Sequence, residues 1–343
     1  MRHVQIVMLG ALASGCARHP ERAMSDAPAP TPAASTITMP AGVVESPFLV
    51  HASGTTLAGT LAMPDAGASA TSRPLTVVLI VAGSGPTDRN GDNPGGVHGK
   101  VYAQLAWGLA QQGIASLRYD KRAIGATPIG IDPNELTIDL YAADVRAAAD
   151  SLHADGRFSR VVLAGHSEGA GLVLQAANRG APAAGIIMIS GAGRPILDIL
   201  RSQLAAQFDS AAMLTYDSAM ARFIRGEPTG IVPPPMVSLF MPYLRNFMRT
   251  WSAYDPAAEL RKAKLPVLLV TAARDIQVDS AEHARLVAAR PSAAVLVLPT
   301  AAHVLKAVLS TDRTAQMPVY ADAGAPIVPE LVPGIVRWIA TLH

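Results

Sequence analysis

The chain of 343 residues holds a single cysteine, Cys16. An intramolecular disulfide is therefore impossible, and a cysteine-based metal site is excluded. Charge is also scarce. Asp, Glu, Lys and Arg together make up 16% of the residues, and the net charge is only +2. No block of five like charges occurs, which argues against nucleic acid as a partner. What the sequence has in quantity is apolar surface: half of its residues are hydrophobic, ample for one large buried core.

The position of the lone cysteine is informative. Met1-Arg2-His3 makes a short positive start, Val4 to Ala13 is apolar, and Ala13-Ser14-Gly15-Cys16 closes the run. The run is too short to span a bilayer but fits the apolar region of a signal peptide. Small residues before a cysteine at this point resemble the lipobox of bacterial lipoproteins. One departure is Ala13, which stands where that pattern usually has leucine; Leu12 lies one place earlier. The resemblance implies cleavage before Cys16, lipidation of Cys16 and anchoring to a membrane of the cell envelope; a soluble secreted or periplasmic form is the alternative. Residues 1–16 read as the signal. Residues 17–43, which include APAPTPAAST, are too rich in Pro, Ala, Ser and Thr to bury a core and read as an extended tether.

From residue 44 onward the pattern is that of a folded domain. Phe48 to Val50 and Thr56 to Leu61 flank Ser53-Gly54, a hairpin signal. Apolar strands are expected at Thr76 to Val81, Ile114 to Tyr119, Arg160 to Ala164, Gly185 to Ser190, Pro266 to Thr271 and Ala294 to Leu298. Helices are expected at Tyr102 to Gln112, Leu140 to Leu152, from Ser167 to near Gly180, and at Val328 to Leu342. Alternating helices and continuously apolar strands predict an α/β fold, a mostly parallel sheet flanked by helices on both faces. Residues 193–264 break this rhythm. They are helical in tone and rich in Met, Leu and Phe, and they read as an inserted helical cap over the strand ends.

The chemistry centres on Gly165-His166-Ser167-Glu168-Gly169. Gly-x-Ser-x-Gly alone is a weak signal. It gains weight because VVLA precedes it and GAGLVLQAA follows it, the strand-turn-helix context that presents a nucleophilic serine. Ser167 needs a base, and in this architecture the order is serine, acid, histidine. His303, on a loop after the last strand, stands where the base should be, while His166 belongs to the elbow. Asp275 directly follows the preceding strand and is the expected orienting acid. Asp279 reads as a helix N-cap with Glu282 as its reciprocal partner, and Asp255 is a weaker competitor for the acid. The oxyanion hole is expected from the backbone N–H groups of Ser84 and Glu168, leaving the Glu168 side chain free to point elsewhere. A dinucleotide-binding reading of Gly83 to Asp88 fails, since a third glycine and a following helix are missing.

Taken together, these segments resemble the α/β hydrolases, and within them the bacterial esterase-like branch related to the serine aminopeptidases and dienelactone hydrolases. GSGPTDRNGDN at Gly83 to Asn93, LRYDKRAIGAT at Leu117 to Thr127, GHSEG, ARDIQVD and the AAH of Ala301 to His303 match that branch in order. Ala123 departs from it, standing where glycine is usual. The resemblance covers nearly all of residues 45–343 and implies hydrolysis of small to medium carboxylic esters through an acyl-enzyme, with no metal or cofactor. Asp88 and Arg89 could reach the mouth of the site or pair with other loops, and structural pairing with carboxylates elsewhere is the preferred reading for them and for Asp120 and Arg122. Two rival readings stay open. One is peptide, amide or thioester cleavage by the same residues. The other is a non-catalytic surface binding lipoprotein that keeps the fold.

Overall fold

Strands that are apolar throughout require cover on both sheet faces, and the chain supplies it for the central strands, while Val295 and Val297 of the edge strand Ala294–Leu298 stay exposed. The computed structural model describes residues 37–65 and 74–343. β1 (Val43–Ala52) and β2 (Thr55–Pro64) pair as an antiparallel hairpin. Its turn includes Gly54 at a φ of 73°, a conformation that costs glycine little. β3 (Leu75–Val81), α1 (Val101–Gln111), β4 (Ala115–Tyr119), α2 (Ile138–His153), β5 (Phe158–His166), α3 (Glu168–Asn178) and β6 (Gly185–Ile189) follow. Four helices come next: α4 (Ile196–Ala205), α5 (Ser210–Arg225), α6 (Arg245–Ser252) and α7 (Pro256–Lys262). β7 (Val267–Ala272), α8 (Ser280–Ala289), β8 (Ala294–Leu298), α9 (Arg313–Ala321) and α10 (Leu331–Ile339) complete the described chain.

The strands form one sheet in the order β1-β2-β4-β3-β5-β6-β7-β8. β2 pairs antiparallel with β1 and β4, and every other pairing is parallel. Period-two alternation sorts the strand residues into two cores. Val77, Leu79, Leu163, Ile186, Met188 and Leu269 enter one, which also takes α2, α3 and the β6–β7 helices. Val78, Ile80, Val162, Ile187, Leu268 and Val270 enter the other, against α1 and α10.

Expected and observed elements differ in a few places. The closing helix starts at Leu331 rather than Val328, and Val328 N–H instead donates to Leu305 O. α9 was not expected; Pro318 lies within it and masks the helical pattern. β1 starts at Val43, the last residue of the segment read as tether. Cys16, the signal reading and residues 17–36 of the tether reading lie outside the described residues. No described helix is long and apolar enough to cross a membrane.

Candidate active site

Ser167 sits between the end of β5 and the start of α3 at φ 55° and ψ −118°, a backbone region that non-glycine residues seldom occupy. Its N–H donates to Ile189 O of β6 (2.9 Å), which ties the turn to the neighbouring strand. The flanking glycines have a steric cause. A Cβ on Gly165 would lie 2.0 Å from Gly169 O, and one on Gly169 would lie 2.3 Å from Val81 O. The turn closes only where both side chains are absent.

Asp275 follows β7, and His303 lies between β8 and α9. His303 Nδ1 donates to Asp275 Oδ2 at 2.6 Å, and both side chains are buried. The second carboxylate oxygen, Oδ1, accepts from Gln277 N (2.8 Å) and Val278 N (2.9 Å). Three donors thus fix the carboxylate, and Nε2 is the ring nitrogen of His303 left for a second partner. The acid and histidine loops are joined by Arg274 N–H donating to Ala301 O (2.9 Å). Beyond them, buried Lys306 donates to His98 O, Val319 O and Asp322 O, pinning the histidine loop to α9. Burial lowers the Lys306 pKa below its usual value.

The other acids and arginines are occupied elsewhere. Asp255 accepts from Ala258 N and caps α7. Asp279 caps α8 through Ala281 N and Glu282 N. Glu282 does not turn back to that cap; it holds Gly193 N and Arg194 at the start of the β6–β7 insertion. Arg89 pairs with Asp120, and Arg122 makes a bidentate contact with buried Asp144. Ala123 takes φ 63°, the left-handed conformation that favours the glycine usual in similar turns.

The expected freedom of the Glu168 side chain is overturned. Glu168 is the first residue of α3, where backbone N–H groups have no intrahelical acceptor, but its carboxylate is buried against Lys121 Nζ at 2.5 Å. Lys121 also donates to Gly83 O (2.7 Å). An anion beside an α-helix N-terminus is favoured, and one this deeply buried requires a paired cation.

His166 forms a second network that sequence reasoning assigned only to the elbow. Gly83 N–H donates to Tyr102 Oη, Tyr102 O–H donates to His166 Nδ1 (2.8 Å), and His166 Nε2 donates to His303 O (2.9 Å). The chain of bonds links the Gly83 loop to the backbone of His303. Burial, reinforced by nearby His303, lowers the His166 pKa from 6.5 to about 3. Unfolding then takes up a proton between those values, so stability contributed by neutral His166 is complete above pH 6.5 and falls as pH drops towards 3. The expected slope from this one residue is at most about 1.4 kcal/mol per pH unit. Urea denaturation at pH 7, 5.5 and 4.5 checks it: His166→Gln should flatten the loss, and an equally steep loss in the variant would refute the assignment.

Ser167 and Ser84 line two adjoining spaces. One, of about 60 Å³, has walls from Ile196, Ile199, Leu200, Trp251, Tyr254 and Val278. The other, of about 510 Å³, is also lined by His303, His166, Tyr102, Gln203 and Tyr320. The structure thus brings Ser167, His303 and Ser84 to one cavity, with Asp275 bonded behind His303 and Glu168 beside Ser167.

A family model described as serine aminopeptidase, S33, matches residues 95–306. Esterase EstD of Thermotoga maritima is 30% identical over 211 residues, which are 60% of this chain and 48% of that protein. The chain thus spans about half the length of the curated relative it matches. Among solved structures, Est1E from Butyrivibrio proteoclasticus, with ferulic acid bound, aligns over 86% of this chain and 100% of its own at a TM-score of 0.54 and 17% identity. An esterase from Pyrococcus furiosus aligns over 87% and 91%, at 0.53 and 15% identity. At these identities the two structures establish the α/β-hydrolase fold.

Proposed function

Because the chain belongs to the serine aminopeptidase family of α/β hydrolases, we propose that it hydrolyses carboxylic esters by way of Ser167, His303 and Asp275. The observation that carries this reading is the buried His303–Asp275 hydrogen bond at a cavity that His303 lines together with a serine held at positive φ. Support for an ester over another acyl compound comes from the similar EstD, named an esterase. Ser167 Oγ attacks the carbonyl carbon while His303 Nε2 takes its proton. The N–H groups of Ser84 and Glu168 receive the negative oxygen of the tetrahedral intermediate. Its collapse expels the alcohol, which carries away the proton from His303. Water then attacks the acyl-enzyme, His303 again taking and returning a proton, and the carboxylic acid leaves. A fluorophosphonate probe should label the wild-type protein and not Ser167→Ala. Labelling of both, or of neither, would reject the reading.

The insertion at residues 193–264 acts in this proposal as the cap that shapes substrate choice. The smaller pocket, of about 60 Å³, takes the acyl group, and the larger cavity takes the alcohol. Across p-nitrophenyl esters, kcat/KM should peak between acetate and butyrate and drop at least about tenfold by octanoate, since a longer chain would press on the walls of the smaller pocket. A profile that climbs through octanoate would reverse the pocket assignment. The serine aminopeptidase family also keeps a peptide substrate in view, and a peptide panel run beside the esters separates the two. For the N-terminal segment the proposal is export with lipidation at Cys16. Cys16→Ser should move the protein from the membrane fraction to the soluble one, and retention in the membrane would contradict lipid anchoring at this residue.

A further inference from the structure

We infer that Lys121 is a positioning residue that sets the geometry of the oxyanion hole. This rests on the serine-hydrolase reading above and adds to it the group that holds both donors in place. Lys121 Nζ donates to Gly83 O at 2.7 Å and to Glu168 Oε1 at 2.5 Å. Both side chains are buried, at 3% and 2% exposure, and the ammonium lies 5.3 Å from the centre of the Tyr141 ring.

The Gly83 carbonyl belongs to the same planar peptide unit as the N–H of Ser84. A cation fixed on the carbonyl therefore fixes the direction of that N–H. It also polarises the peptide, so that its N–H becomes a stronger donor. The second contact of Lys121 is with Glu168, whose own N–H is the other proposed donor. One ammonium thus ties together two donors that come from different loops. The Gly83 loop lies directly against the nucleophile, since a Cβ on Gly83 would come within 3.2 Å of Ser167 Cβ. Its other polar atom is also held, the N–H of Gly83 donating to Tyr102 Oη at 3.0 Å. The lysine is itself placed by Asp120, which precedes it and accepts from Arg89 N and Ala126 N.

The test separates positioning from simple charge neutralisation. In Lys121→Met, Glu168 loses its partner as well as Gly83. In the double variant Lys121→Met/Glu168→Gln no buried charge is left unpaired, so that protein should fold even if the single variant does not. Kinetics on p-nitrophenyl butyrate would be measured for wild type, both variants and Ser167→Ala, with thermal melts as the check of folding. The expected result is a kcat about a hundredfold lower in the double variant, with KM within about threefold of wild type, the pattern of a lost transition-state contact. The rate of fluorophosphonate labelling should fall with it. A double variant that keeps more than about a tenth of wild-type kcat, or loses rate through KM, overturns the inference. Wild-type protein without turnover, or turnover that survives Ser167→Ala, would instead overturn the hydrolase reading.

Discussion

Ser167→Ala is expected to lower kcat on p-nitrophenyl butyrate by roughly 10⁶-fold, and His303→Ala by a similar factor. The first removes the oxygen that would bond to the acyl carbon; the second removes the base that would take its proton. Because the two groups act in one step, the double variant should lose little more than either single variant, within about tenfold. Independent contributions would multiply instead. Ser167→Ala should also leave the fold intact. The φ of 55° at this turn is imposed by β5, β6 and α3, and alanine occupies the same space as serine without the hydroxyl. Melting curves and active-site titration with a fluorophosphonate check the two halves of the expectation. A folded Ser167→Ala protein with more than about one hundredth of wild-type kcat, or losses that multiply in the double variant, would remove Ser167 and His303 from the proposed mechanism.

Asp275→Asn is expected to reduce kcat by roughly 10⁴-fold with little change in KM. Asparagine keeps an oxygen for Gln277 N and Val278 N, so the loop that those bonds shape should persist. Towards His303 Nδ1, however, it presents an amide N–H₂ in place of the carboxylate oxygen that now accepts at 2.6 Å. The imidazole would then carry its proton on Nε2, the atom that must accept the proton of Ser167. The carboxylate also stabilises the imidazolium that forms as the proton moves, and a neutral amide does so far less. Steady-state kinetics with thermal melts provide the measurement. A folded variant within tenfold of wild type would mean that another group orients His303.

Much of the candidate site is readable before any coordinate because each piece depends on a short window. Val161 to Gly171 contains the strand, the two close-packed glycines and the start of the helix, and the steric reason for those glycines is local. Asp275 and His303 each follow an apolar strand, so their place at one sheet edge follows from parallel topology. Partnerships across the chain leave no such trace. Lys121 meets Gly83 over 38 positions and Glu168 over 47, and His166 meets the His303 carbonyl over 137. In sequence, Glu168 is simply an acidic residue at a helix start and Glu282 a plausible capping partner. Only the packed structure places a buried ammonium beside the first and the Gly193-Arg194 segment beside the second.

By itself the sequence determined the alternation of strands and helices, the long insertion before β7, and the order of Ser167, Asp275 and His303, because hydrophobic period, glycine sterics and chain order are properties of neighbouring residues. Tertiary structure alone decided which buried charges pair, which backbone carbonyl each cation holds, and how the space beside Ser167 divides into a small pocket and a larger cavity. The reason is desolvation. A charge taken out of water must find a partner wherever the folded chain supplies one, and that partner is chosen by proximity in space.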